Sequence, residues 1–400
     1  MAIGAAVPQR VMEFQGLFPG RFRTEVRGFG IMPAKIIQRN YSLIGGDAKF
    51  ECGLATTEWY AAPIPRKRLK ELMRRKNGPA IRDTLLWFGL LLVSGSIGYY
   101  TWGTWWCVPA FLAYGVLYGS ASDSRWHECG HGTAFRTPWM NDVVYQIASF
   151  MVLRQPTPWR WSHTRHHTDT IIVGCDPEIS VARPADLLSV ALKFFVLRSG
   201  PIEIRKMILH CFGKLTPEER TFIPEVEYPK VFRIARIWVL IYAVVIGLAF
   251  GTRSLMPLVY IGLPSFYGAW LMVVFGLTQH AGLAEDVLDH RLNSRTVYMN
   301  PVFRFIYWNM GYHVEHHMFP MVPYHALPAL HAEMKNDCPR AYNGLWEAYR
   351  EIIPALLKQA RDPAYFVRRR LPPSHLSPSA AERMRPPHSP NGPMFQENES

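Results

Sequence analysis

Uncharged apolar runs interrupt a polar, basic chain, and they come in pairs. Positions 84–102 and 104–121 carry no Asp, Glu, Lys or Arg, and only Gly103 separates them. At 1.5 Å per residue the first run is roughly 28 Å long as a helix, enough to cross the hydrocarbon core of a bilayer. Tyr99, Tyr100, Trp102, Trp105 and Trp106 flank the junction, and such aromatics favour the lipid–water interface. The pair reads as a helical hairpin with its tip at the far interface. A second pair follows at 234–250, uncharged from Ile237 onwards, and 255–279, joined by a short turn at Gly251-Thr252-Arg253. Cations collect at the start of each pair: Arg66, Lys67, Arg68, Lys70, Arg74, Arg75 and Lys76 for the first, Lys230, Arg233 and Arg236 for the second. By the positive-inside rule both hairpins begin and end on the cytoplasmic face. The expected fold is an all-α polytopic membrane protein, with two transmembrane hairpins (four spans) and a cytosolic helical cap.

The flanking regions read differently. Residues 1–64 mix Gly, Pro and polar side chains without a sustained period, so 1–83 is expected to be an irregular cytosolic lead ending in the basic run. Residues 84–335 form the expected catalytic domain. Within it Asp186–Ser199 has the one-sided apolar pattern of a core or interfacial helix. A C-terminal helical segment is expected over 336–370, with 344–357 amphipathic. The Pro-, Ser-, Arg- and Asn-rich stretch 371–400 reads as a disordered tail.

Composition narrows the class. Forty-four Lys and Arg against 31 Asp and Glu give a formal net charge of +13, which on a cytosolic face suits an acidic protein partner or anionic lipid. No nucleic-acid partner is expected. The six cysteines (Cys52, Cys107, Cys129, Cys175, Cys211, Cys338) show no CxxC and no regular spacing, which argues against a disulfide framework, a zinc ribbon or an iron–sulfur cluster. There is no GxGxxG, no Walker loop and no fused redox module.

The chemistry resides in three histidine clusters: His127-x-x-x-His131, His163-x-x-His166-His167 and His313-x-x-His316-His317. Residues three and four apart share one helix face, so each cluster aims its rings at one point. A lone HxxxH is weak, but an HxxHH is expected in only about one random chain in fifty of this composition. Together the clusters supply more nitrogens than one metal ion holds, and the chain reads as built around two. His280 falls at the end of the fourth span, so the topology puts it and all three clusters on one membrane face. Imidazole sites suit zinc, copper, iron or nickel. A centre beside apolar helices is placed to act on apolar substrates, and breaking an unactivated C–H bond needs a metal and O₂ rather than a side chain. Iron is the economical choice. A rival exists in the first box: His127-Glu128-Cys129-Gly130-His131 matches the HExxH of zinc metalloproteases, although such a site leaves both HxxHH clusters unexplained.

The order HxxxH, HxxHH, HxxHH with this hairpin spacing resembles the membrane fatty acid desaturase and hydroxylase superfamily, over roughly residues 80–335. Asp176-Pro177-Glu178 is similar to the acidic stretch after its second box, and Gly311–Pro320 with Leu327–His331 is similar to its third. The resemblance implies a di-iron centre held by His127, His131, His163, His166, His167, His313, His316 and His317. It adds His280 as a further ligand in preference to His290, and Asp169, Asp176 and Glu315 as carboxylates that orient imidazoles. It also implies an integral, multi-pass enzyme using O₂ and an external donor, whether cytochrome b5, ferredoxin, rubredoxin or a Rieske-type protein, to desaturate or hydroxylate a lipid or hydrocarbon. Within the superfamily the third-box segment also resembles the rhizopine-type oxygenases, which would imply a small polar substrate and a Rieske ferredoxin.

Overall fold

The computed structural model describes residues 39–44 and 58–372. Most of the irregular lead and nearly all of the expected tail lie outside the described residues. Among the described residues the regular elements are helices, joined by two isolated β-bridges, Thr296–Tyr312 and Val297–Tyr342.

The first hairpin starts with the helix Asn77–Tyr100. Its return limb, Cys107–Gly115, does not stop where the uncharged run stops. It passes through a π-helical turn, Val116–Ser120, into the helix Ala121–Gly130, which carries the first histidine box. A π turn accommodates an extra residue without ending a helix, so the box is the direct continuation of an apolar rod. The limbs are pinned by Trp87, whose indole N–H donates to the Leu117 carbonyl at 2.8 Å.

The second hairpin departs from the sequence expectation. Tyr228–Thr252 is one unbroken helix, ended by Arg253 in the left-handed region at φ 50°. The limb expected over 255–279 is instead three pieces: Met256–Tyr260, Pro264–Tyr267 and Trp270–His280. Gly262 at φ +97° and Pro264 account for the first break, since a left-handed residue followed by one lacking an N–H cannot continue the ladder. The second break places Gly268 against the π turn. A Cβ on Gly268 would stand 1.8 Å from the Gly115 carbonyl oxygen. Ser120 fastens the crossing by donating to the Gly268 carbonyl at 2.6 Å and accepting from the Met272 N–H at 2.9 Å.

Among the described residues, two helical segments are long and apolar enough to cross a membrane, Arg66–Tyr100 and Glu225–Thr252. Only 17% of the apolar window in the second is buried. Leu85, Leu92, Leu240 and Phe250 all point outwards.

A core of Trp87, Tyr118, Trp126, Tyr145, Phe275, Tyr307 and Trp308 ties the first hairpin to the third-box region. At its centre Arg125 is fully buried beside the rings of Trp87, Phe305 and Trp308. Its guanidinium donates to the carbonyls of Ala121, Phe305 and Ile306 at 2.7–3.0 Å. The apolar stretch after Asp186 is a shorter helix than its pattern suggests, Leu187–Lys193, capped by the Asp186 carboxylate on the Ser189 N–H. The amphipathic helix Leu345–Gln359 buries Ala348, Ile352 and Leu356 against Val273 and Leu277.

Candidate metal centre

Each box sits on its own helix. His127 is in the last turn of Ala121–Gly130, and His131 caps it. His163, His166 and His167 occupy the end of Pro156–Thr168, started by Pro156 at its first turn, where the missing N–H does no harm. His313, His316 and His317 lie on the short helix His313–Met318, and His280 ends Trp270–His280. These nine imidazoles converge as two groups. His127, His131, His163, His167 and His316 form one; His166, His280, His313 and His317 form the other. In each group the candidate ligand atoms all lie within 4.8 Å of one another. The second box is divided, His166 going to the smaller group and its neighbours to the larger. The third is divided as well.

The nitrogens face each other. Nε2 of His163 is 3.1 Å from that of His131 and 3.2 Å from that of His167, and His316 Nε2 is 3.2 Å from His167 Nε2. In the second group His313 Nε2 is 3.0 Å from both His280 Nε2 and His317 Nε2. For metal–nitrogen bonds of about 2.1 Å, ligands at a right angle stand about 3.0 Å apart and ligands at the tetrahedral angle about 3.4 Å. The closest pairs, at 3.0–3.2 Å, fall between these two separations, as ligands of one ion would. Both ring nitrogens of His127 are buried without a hydrogen-bond partner, as is Nδ1 of His167, His313 and His316. Unpaired polar atoms inside a protein are costly, and a cation at the convergence point would satisfy those that face it.

The far nitrogens are steered from outside. Glu178 accepts from His163 Nδ1 at 2.9 Å and from Ser162 Oγ at 2.8 Å. Asp176 accepts from His166 Nδ1 at 2.8 Å and from the N–H groups of Ile171 and Glu178 at 2.8 and 2.7 Å. His280 Nδ1 donates to the Asn293 carbonyl at 2.8 Å, and His317 Nδ1 pairs with Thr170 Oγ1 at 3.1 Å. A proton held on Nδ1 leaves the Nε2 lone pair aimed inward.

Electrostatics set the charge of these rings. Burial, then the neighbouring imidazoles, hold His127, His167 and His317 well below the usual histidine range, so they stay neutral and able to ligate at pH 7. Burial would lower His166 too, but the charge and hydrogen bond of Asp176 outweigh it and raise that ring. Burial would likewise raise Glu178, yet the charge and hydrogen bond of His163 prevail and bring its carboxyl down to about 2.

The other expected site residues are placed as follows. His290 belongs to neither group. Asp169 pairs with Arg165 at 3.2 Å. Glu315 accepts from Thr296 Oγ1 at 2.7 Å and from His331 Nδ1, so it braces His331 rather than a box imidazole. Glu178, marked in the sequence only by its place in the acidic stretch, is the carboxylate that reaches His163. Its signal was its place two residues after Asp176, within reach of the same helix. The metalloprotease alternative is not favoured. Glu128, its would-be base, is buried, and its Oε1 accepts from Thr133 Oγ1 at 2.7 Å and the Tyr324 N–H at 3.0 Å. His127 and His131 share their group with three more imidazoles, whereas a catalytic zinc keeps one of four positions open. A cleft of about 650 Å³ approaches from behind the second-box helix and is lined by Ser162 and Asp176, but by no histidine.

A sequence model of the fatty acid desaturase family matches residues 103–349. The chain is 26% identical over 280 residues to an omega-3 fatty acid desaturase, chloroplastic, of Sesamum indicum, covering 64% of this chain and 61% of that one. It is 23% identical over 323 residues to a ferredoxin-type sn-2 acyl-lipid omega-3 desaturase of Helianthus annuus, covering 73% and 71%. It is 24% identical over 298 residues to an acyl-lipid omega-3 desaturase (cytochrome b5), endoplasmic reticulum, of Arabidopsis thaliana, covering 68% and 74%. Against the Sesamum indicum protein and its Glycine max and Ricinus communis counterparts, the chain spans 61–63% of the relative's length.

Proposed function

The chain belongs to the fatty acid desaturase family, and from that premise we propose that it is a membrane-embedded, O₂-dependent acyl-lipid desaturase with iron held by its nine converging histidines. The observation that carries this reading is the division of those histidines into a group of five and a group of four, with neighbouring Nε2 atoms 3.0–3.2 Å apart. Five imidazoles in one group exceed the four positions of tetrahedral zinc and suit six-coordinate iron, and the family match supports iron for the second group as well. His127, His131, His163, His167 and His316 would hold one, and His166, His280, His313 and His317 the other. Bound there, iron would supply the activation of O₂ that no side chain can. The chain's own contribution is to fix the imidazoles through Asp176, Glu178, Asn293 and Thr170 and to hold the nitrogens away from bulk water.

Desaturation removes two hydrogens from adjacent carbons: R–CH₂–CH₂–R′, O₂, two electrons and two protons give R–CH=CH–R′ and two waters. The electrons come from an external one-electron donor, and relatives whose names specify ferredoxin or cytochrome b5 support that class. Their acyl-lipid names favour an acyl chain over a small polar compound. The two outward-facing apolar helices and the basic residues before each hairpin support a multi-pass topology with the histidines on the cytoplasmic side. In that topology the rod Cys107–Gly130 and the broken limb 256–280 complete four crossings.

The test is acyl-chain profiling by gas chromatography–mass spectrometry of cells with and without the gene, joined to iron analysis of purified protein. Expected are a new unsaturated acyl chain, dependence on O₂, and about two irons per chain. Unchanged product under strict anaerobiosis, or stoichiometric zinc with no iron, would refute the proposal. An alcohol in place of an alkene would assign hydroxylation to the same centre.

A further inference from the structure

One aromatic contact of the centre leads outwards. His290 lies outside both histidine groups, and its Nδ1 is buried without a hydrogen-bond partner. Its ring is held by the Asn293 side chain and by stacking. Trp59 lies on it nearly parallel, at 6° with centroids 4.3 Å apart, and His317 of the four-histidine group is 5.2 Å from it at 35°. Trp59 is only half-buried. Its indole N–H donates to the carbonyl of Thr168, the last residue of the second-box helix, at 3.1 Å. The neighbouring Tyr60 anchors this segment: its N–H donates to Leu288 O at 3.0 Å, and the Arg291 guanidinium lies 3.3 Å from its ring centroid. Three π systems in contact therefore run from the surface to a ring of the centre.

We propose that Trp59 and His290 form the electron inlet of this protein, the relay through which a one-electron donor protein reduces the four-histidine site. The proposal rests on the reading of the chain as an O₂-dependent desaturase. Each passage oxidises the donor by one electron and reduces the site by one, and two passages supply the electrons that the reaction above consumes. Parallel rings overlap their π orbitals across the whole contact. A second ladder, Trp159–Trp126–His163, is spaced at 5.7 and 5.6 Å, its first step is edge-on at 83°, and the Arg154 guanidinium lies over both indoles. Edge-on contact couples π systems poorly, which leaves Trp59 as the better-coupled route. Trp59 and His290 are positioning residues, since neither converges with the nine imidazoles.

The experiment follows anaerobic reoxidation of a reduced [2Fe–2S] ferredoxin by the iron-loaded full chain in nanodiscs, using stopped-flow absorbance, with iron content measured on the same samples. Trp59→Leu is expected to slow reoxidation roughly tenfold or more, while Trp59→Phe and Trp159→Leu stay within about twofold of wild type. Iron content is unchanged in all three. His290→Leu, which leaves Trp59 in place, slows it as Trp59→Leu does and guards against a folding defect in one variant. A wild-type rate in Trp59→Leu, a slowing matched by lost iron, or an equal slowing in Trp159→Leu would overturn the relay. Iron-free wild-type protein would overturn the functional reading itself.

Discussion

Asp176 and Glu178 sit two residues apart, yet they serve different halves of the centre, and that makes them separable. Asp176 holds His166, a member of the four-histidine group; Glu178 holds His163, a member of the five-histidine group. Asp176→Asn keeps the shape of the side chain and can still accept one backbone N–H. It removes the charge, and when its amide turns to His166 it sets a donor against a donor. A charge-assisted hydrogen bond contributes about 1.5–3 kcal/mol, or roughly a 10- to 150-fold change in affinity, in line with the 10- to 100-fold weakening typical of lost outer-shell partners. The loss falls on one ion. Iron titrated against a chelator should show two classes of site in wild type, with the class held by the four-histidine group weakened in Asp176→Asn and the five-histidine class weakened in Glu178→Gln. Mössbauer spectra of the partly loaded variants should keep complementary halves of the wild-type signal. Equal weakening of both classes in both variants, at unchanged melting temperature, would refute the assignment of each carboxylate to its own group.

Further predictions follow from the surrounding structure. Gly268→Val must drive the crossing at Gly115 apart and should destabilise the protein by at least about 1–3 kcal/mol, read as a lowered melting temperature in detergent, while Gly247→Ala, in open space, should not. Arg125→Met leaves the Ala121 and Ile306 carbonyls with Ser124 Oγ as a donor and takes the guanidinium from the Phe305 carbonyl, so about 1–3 kcal/mol of stability should go with iron binding kept; calorimetry with iron analysis checks both. Because the Glu178 carboxyl is lowered from 4.5 to about 2, its contribution to apoprotein stability is fully present above the ordinary value and disappears only as pH falls through about 2. Acid unfolding of the apoprotein should lose part of its slope in that window in Glu178→Gln, and an unchanged acid profile would count against the His163 pairing.

Much of the centre was legible because histidine spacing on a helix is a local property. His127 and His131, or His313 and His317, share a face whatever the rest of the chain does. What local pattern could not supply was the sorting. That His166 leaves its neighbours for His280, His313 and His317 depends on how three helices cross. The carboxylates show the same limit. Asp176 and Glu178 reach their imidazoles because a short turn folds back along the second-box helix, whereas Glu315 is adjacent in sequence to His316 and faces Thr296 and His331 instead. In the apolar limbs, Gly262 and Pro264 carried a local warning of the break at 261–263. Gly268 did not, since its need for a bare Cα arises only from Gly115, far away in the chain.

The π turn at Val116–Ser120 separates two rotational phases. Upstream, Cys107–Gly115 must turn its side chains to suit the first hairpin; downstream, Ala121–Gly130 must turn His127 and His131 to the centre. An α-helix advances about 100° per residue, so one register would have to serve both. The extra residue in the turn lets each half keep its own angle. Deleting one residue within 116–120 restores ordinary α-geometry and leaves the box pointing where it did, whereas deleting one within 121–126 swings both imidazoles about 100° around the axis. The turn is thus a phase joint, and sequence on its upstream side is free to follow its packing partners without retuning the direction of His127 and His131.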